Sequence, residues 1–257
     1  RWLVGVGFGN GMFVVVGESG AIFTSADGVR WTARTSGTTG RINGVAYGGG
    51  RWLAVAETGE VLASADATTW RRLQPSPDRL RGVIFAYGQF VVTGDNGLVR
   101  TTVDDFTFEE KALPDALFVE SVANARRQFL AVGEAGYAIA SADTITWRRL
   151  VTGTTAHLRG VTFFNGQFVA VGSEGTVITT PSPGRPWIAR ETGTREILTA
   201  VASSDQIAVA VGFRGTVLRS SPARSAPQIL SAPASVADIA GSNVLFKAVA
   251  VGSEPLN

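Results

Sequence analysis

No cysteine occurs in this chain of 257 residues, which excludes disulfides, thiol catalysis and cysteine metal sites. There is one histidine, His157, in the stretch Thr154-Thr-Ala-His-Leu. A Ser-His-Asp mechanism would have to run through it, and no nucleophile elbow accompanies it. A solvated loop histidine is the simpler reading. A single histidine without cysteine also lacks the common zinc spacings. Lysine is confined to Lys111 and Lys247, so positive charge is almost wholly arginine, and the net charge is only +2. The arginines are scattered rather than run together, which disfavours nucleic acid as a partner. No apolar run approaches the roughly 20 residues of a membrane-spanning helix, so no transmembrane segment is expected, and peripheral membrane association stays open. No stretch carries a helical period. Charged residues are few, 17%, against 45% hydrophobic, a balance that excludes a disordered chain and suffices for a buried core.

What is abundant is glycine, with 31 residues, and it is periodic. The stretch Gly17-Glu-Ser-Gly-Ala-Ile-Phe-Thr-Ser-Ala-Asp-Gly-Val-Arg-Trp31 recurs along the chain. Its second glycine falls at Gly20, Gly59, Gly97, Gly136, Gly175 and Gly215, at steps of 39, 38, 39, 39 and 40. Its closing aromatic falls at Trp31, Trp70, Phe108, Trp147 and Trp187, at steps of 39, 38, 39 and 40. Two landmarks with one period define a structural repeat. Within a unit, apolar and β-branched runs such as Val4 to Phe8, Met12 to Val16 and Ala21 to Ser25 are split by Gly-bearing turns, as in antiparallel strands. Four such strands at a period near 40 predict an all-β fold, a β-propeller of four-stranded antiparallel blades. The copies predict seven blades with the last incomplete, and six blades with a tail as the alternative. The chain then forms a single domain over residues 1–257. Its blades fall at about 1–41, 42–79, 80–118, 119–157, 158–197, 198–236 and 237–257. Because the chain starts at Arg1 inside a repeat, without a signal sequence, it reads as a mature or trimmed form of something longer.

At Ser25-Ala-Asp27-Gly-Val-Arg-Trp31, Ser64-Ala-Asp66-Ala-Thr-Thr-Trp70 and Ser141-Ala-Asp143-Thr-Ile-Thr-Trp147 the sequence resembles the BNR or Asp-box repeat. With the preceding Gly-x-x-Gly-x-Ile/Val, it is most similar to propellers of the photosystem II stability and assembly factor type and their bacterial relatives. The resemblance covers nearly the whole chain and specifies a blade rather than an activity. The tag is one residue shorter than the usual Asp-box. Glycine follows the aspartate only in the first copy, and the fifth copy, ending at Trp187, has no aspartate. Ser and Asp side chains can cap the turn while the aromatic packs beside it, so Ser25, Asp27, Trp31, Ser64, Asp66, Trp70, Ser141, Asp143, Trp147 and Trp187 are expected to be structural. The resemblance implies an assembly factor or scaffold in the bacterial periplasm, secreted, or at a cell surface.

Two sets of charged residues recur where a binding face is expected. The turn between second and third strands carries Glu18, Glu57, Asp95, Glu134 and Glu174, with Glu254 in the last copy and Arg214 as the exception. The connection into the next blade carries Arg41, Arg79, Arg81, Arg159 and Arg195. An acidic centre with an arginine rim suits a protein partner or an acidic glycan. The acidic mouth leaves room for a hard cation, and no cofactor is implied otherwise. Three functions follow in order: a non-enzymatic scaffold binding a protein partner, a glycan-binding propeller, and a sialidase-like glycosidase. The last needs a tyrosine with a carboxylate partner and clustered arginines. Its nearest candidates are Tyr47, Glu57 and Arg81, and the expected arginine motif is represented only by Gly40-Arg41-Ile42-Asn43.

Overall fold

A computed structural model describes residues 2–73, 75–104, 108–111, 113, 117–221, 228–231 and 249–251. It is a β-propeller. Five blades are four-stranded antiparallel meanders and a sixth has three strands among the described residues. Their inner strands are Leu3–Gly9, Ile42–Gly48, Leu80–Ala86, Val119–Ala125, Leu158–Phe164 and Leu198–Ser203, each packed against the next in that order. Short runs split by left-handed turn residues leave the chain no alternative to a tight meander. Asn10, Asn165 and the paired Gly49-Gly50 all take positive φ at the hairpin tips.

The blade count corrects the seven-bladed expectation in favour of six. The seventh copy keeps two apolar runs, and two runs do not make a four-stranded sheet. Val249–Val251 pairs with Gln228–Ser231 as a separate two-stranded sheet. Residues 237–248 and 252–257, including Glu254, lie outside the described residues.

The core is a set of layers between blades. Val14, Val16 and Ile22 of blade 1 meet Ile42, Val45, Trp52 and Leu62 of blade 2, and equivalent layers join each blade to the next through blade 6. Among the described residues no apolar layer joins blade 6 back to blade 1. The same repeat position shows the effect. Val45 is 7% exposed and Val6, its equivalent in blade 1, is 66% exposed. At the other end Val16, Val55, Val132 and Val171 are fully buried, whereas Val211 of blade 6 is 41% exposed. Small residues allow the layers to close: a Cβ on Gly48 would stand 1.9 Å from the Phe85 ring of the next blade.

The Ser-x-Asp…Trp tag closes the turn from third to outer strand. Ser25 Oγ donates to Asp27 Oδ1 at 2.9 Å, and the same oxygen accepts from the Val29 and Arg30 N–H groups at 2.8 Å. Ser64–Asp66 and Ser141–Asp143 repeat the pattern. The indole N–H of Trp31, Trp70 and Trp147 donates to the carbonyl three residues back, at 3.2, 3.0 and 3.1 Å. Trp70, Trp147 and Trp187 pack into the layer shared with the preceding blade. Among the described residues no blade packs on the outer side of Trp31, which is 41% exposed, against 7% for Trp147. Trp147→Ala should therefore cost about 3–5 kcal/mol and Trp31→Ala about 1 kcal/mol, read from chemical denaturation curves.

The three tag aspartates are held below the ordinary carboxylate range. The Arg30 and Val29 N–H groups do this at Asp27, the Thr68 hydroxyl and Thr69 N–H at Asp66, and the Thr146 and Ile145 N–H groups at Asp143. A depressed folded-state pKa contributes stability that is fully present above the unfolded value, about 3.9, and is lost as pH falls through the folded value. Melting temperature should therefore drop below about pH 4. Replacing all three with Asn should flatten that drop, and an unchanged pH profile would remove the aspartates as its cause.

Candidate binding face

Backbone hydrogen bonds set the turns between second and third strands beside the entry to each inner strand. Glu18 N donates to Trp2 O, Glu57 N to Arg41 O, Asp95 N to Arg79 O, Glu134 N to Phe118 O and Ser173 N to His157 O, all between 2.8 and 3.2 Å. The second turn glycine donates outward to the connecting loop, as Gly20 N does to Gly40 O and Gly136 N to Ala156 O, both at 2.8 Å. A Cβ on Gly136 (φ +71°) would lie 1.8 Å from Thr154 O, so backbone approach and left-handed conformation both require glycine there. The acidic turns and the arginine connections therefore share one face.

On that face the recurring acids divide. Glu18, Glu57, Asp95 and Glu134 take the first turn position. Glu174 takes the second, with φ +58°, and Ser173 stands in its place. Glu18 and Glu134 turn back to their own blades, accepting from Trp2 N at 3.3 Å and Phe118 N at 3.2 Å. Asp95 pairs with Arg81. Among the described residues no three acidic or histidine side chains gather as a metal site. Of the arginines, Arg41, Arg79 and Arg195 are exposed, while Arg81 and Arg159 are half-buried.

The two half-buried arginines share a backbone feature. Every inner strand shifts register at its second residue: between Leu3 and Gly5, Ile42 and Gly44, Val119 and Ser121, Leu158 and Gly160, and Leu198 and Ala200, with the same slip opposite Thr93 and Gly94 in blade 3. The residues set at these bulges are Val4, Asn43, Arg81, Glu120, Arg159 and Thr199. A bulge re-aims one side chain without breaking the sheet. Around the face the bulge residues reach from blade to blade. Asn43 Nδ2 donates to Leu80 O at 2.7 Å. Arg81 Nη1 meets Glu120 Oε1 at 2.6 Å and its guanidinium lies 4.7 Å from the Phe118 ring centroid. His157 Nε2 meets the same Glu120 oxygen at 3.0 Å.

The network shifts both charges toward ionisation. Burial opposes the charge on Arg81, but the Asp95 hydrogen bond and the Glu120 charge outweigh it and raise its pKa. Burial likewise works against the Glu120 carboxylate, yet the His157 hydrogen bond and the Arg81 charge bring its pKa below the ordinary value. The arrangement presents a partly desolvated charged surface fixed on the inner strands. His157 thus differs from the solvated loop histidine of the sequence reading: Glu120, in the preceding blade, holds it. His157 stands out in the sequence as the single histidine, whereas Glu120 does not. The available signal was that Arg81, Glu120 and Arg159 occupy one repeat position at steps of 39 and 39.

The residues named for a glycosidase are not brought together. Glu57 and Arg81 lie at the entry end of the inner strands. Tyr47, opposite Trp52 at the hairpin end, stacks 5.0 Å from its ring. Tyr137 is buried and Tyr87 lies exposed at a hairpin tip.

Similar folds recur among solved structures. YCF48 bound to D1 peptide aligns with a TM-score of 0.70 at 16% identity, covering 86% of this chain and 78% of that one. YCF48 from Cyanidioschyzon merolae gives 0.70 at 15% identity, with 86% and 82% covered. A catalytically inactive virginiamycin B lyase from Staphylococcus aureus with quinupristin gives 0.71 at 9% identity, with 85% and 84% covered. These identities make the likeness one of fold, and the chain is a β-propeller of that architecture. No family model matches the sequence. No curated protein matches it either.

Arg81→Gln should destabilise the fold by about 2–3 kcal/mol, because it leaves Asp95 and Glu120 partly buried without their cation. Arg79→Gln, on an exposed side chain, should stay within about 0.5 kcal/mol. Denaturant unfolding of the two variants checks the difference.

Proposed function

We propose that the chain is a non-enzymatic β-propeller scaffold that binds a protein partner through the face carrying its charged bulges. It would serve as an assembly or accessory factor of a membrane or surface complex. The observation behind this reading is the line of Asn43, Arg81, Glu120 and Arg159, set by the inner strands at one end of consecutive blades and flanked by exposed Arg41, Arg79 and Arg195. Charges fixed on rigid strands select and orient a partner with little ordering cost. YCF48, a propeller of similar fold, has been solved with a peptide on it, which supports recognition of a polypeptide segment here. The periplasm, the cell surface or the medium is the proposed location, as the resemblance in the repeat implies. A glycan ligand and a glycosidase activity have less support, since Tyr47 and Tyr87 lie at the hairpin end of the strands and Tyr137, beside the Glu134 turn, is buried.

The test is cross-linking capture from membrane extracts of the source cells, comparing the native protein with a variant in which Arg41, Arg79 and Arg195 are all Glu. The native protein should retain a defined protein partner, with affinity falling as salt rises, and the variant should lose it. Equal capture by both, or hydrolysis of aryl-glycosides by the native protein, would overturn the proposal.

A further inference from the structure

The bulge residues form a relay between blades that stops at one of them. Asn43 is answered by the Leu80 carbonyl of blade 3, Arg81 by Glu120 of blade 4, and Glu120 by His157 at the connection into blade 5. Arg159 of blade 5 should be answered by blade 6. There the bulge residue is Thr199, whose hydroxyl is turned to Val211 O of its own blade at 3.3 Å. The residue equivalent to His157 is Ile197. The blade 6 turn offers Phe213 and Arg214 where other blades place an acid, and Arg214 already pairs with Glu196 at 3.1 Å.

The consequence is visible in the side chain itself. Arg159 Nε is buried and has no hydrogen-bond partner among the described residues. Its charge reaches Glu120 without a direct bond, and that carboxylate is already shared by Arg81 and His157. A half-buried guanidinium with an unpaired N–H is a costly arrangement unless something completes it. Among the described residues Thr93 also holds a buried oxygen without a hydrogen bond, but it is neutral.

We infer that Arg159, in the sector between blades 5 and 6, is an anchoring site for a carboxylate of the bound partner, from an acidic side chain or a chain terminus. The inference rests on the reading of this face as a protein-binding surface. A carboxylate meeting the accessible side of the half-buried guanidinium would supply the anionic partner that blade 6 lacks, in the charge-assisted pairing that arginine favours. The sectors of blades 3 and 4, where Arg81 already has Asp95 and Glu120, have no equivalent vacancy for an anion.

Fluorescence anisotropy at low salt with three short labelled Gly/Ser peptides tests it: one amidated with internal Glu, one amidated with Gln in those places, and the Gln peptide with a free C-terminus. The Glu peptide, the free-ended peptide or both should bind, which identifies the source of the carboxylate, and the amidated Gln peptide should not. Arg159→Gln should weaken binding about tenfold and Arg159→Lys less. Glu120→Gln, which removes the neighbouring negative charge, should tighten it several-fold; a gain of this kind cannot come from a damaged fold. Equal binding of the amidated Gln peptide, or affinities unchanged in both Arg159→Gln and Glu120→Gln, would overturn the inference. Partner capture is scored separately: carboxylate binding without a captured partner would sink the scaffold reading and leave the anion site standing, and the reverse result would do the opposite.

Discussion

Burial between blades is the constraint on which the rest depends. A four-stranded sheet of Val, Ala and Leu has two apolar faces and one blade can cover neither. In blades 2 to 4 the second strand, such as Arg51–Ala56 or Gln128–Gly133, is buried along almost its whole length because a neighbour stands on either side. That explains why the second strand is continuously apolar rather than alternating. It also explains why the tag tryptophan is conserved in kind but not in environment, buried in blade 4 and half-open in blade 1.

The face follows from the same packing. Once the inner strands are crowded together, their entry ends have to be spaced by something other than a regular ladder, and every blade uses a bulge there. The glycines of the neighbouring turn hold the connecting loop close, leaving the bulge residue as the position whose side chain is free to vary. Val4, Asn43, Arg81, Glu120, Arg159 and Thr199 fill one geometric slot in six blades with five different residue types.

The architecture was legible because it is local and repeated. Gly20, Gly59 and Gly136 mark the same turn, and Trp31, Trp70 and Trp147 the same closure, so no long-range information was needed. Blade number was harder: a pair of apolar runs after Ala237 looks like strands in sequence, but a blade exists only if four strands pair. Glu174 was grouped with the other turn acids because a shift of one residue within Gly-x-x-Gly is invisible without the backbone. His157 and Glu120 are 37 residues apart and meet across a blade boundary, a contact that no motif announces. Arg159 was placed with the exposed connection arginines; only its burial and the loss of an acid in blade 6 distinguish it.

The exposure of Val6 at one end and Val211 at the other has a consequence for how the molecule comes apart. In a linear array each unit is coupled only to its neighbours, and an end unit has one coupling where an interior unit has two. Among the described residues blades 1 and 6 have that single apolar coupling and are the least protected against local opening, with amide exchange fastest there and slowest in blades 3 and 4. The Arg81–Glu120–His157 relay sits across the slowest region, whereas Arg159 sits where protection begins to fall. Occupancy beside blade 6 would be felt as a slowing of exchange at that end, a mechanical coupling between what the face holds and how firmly the last blade stays in place.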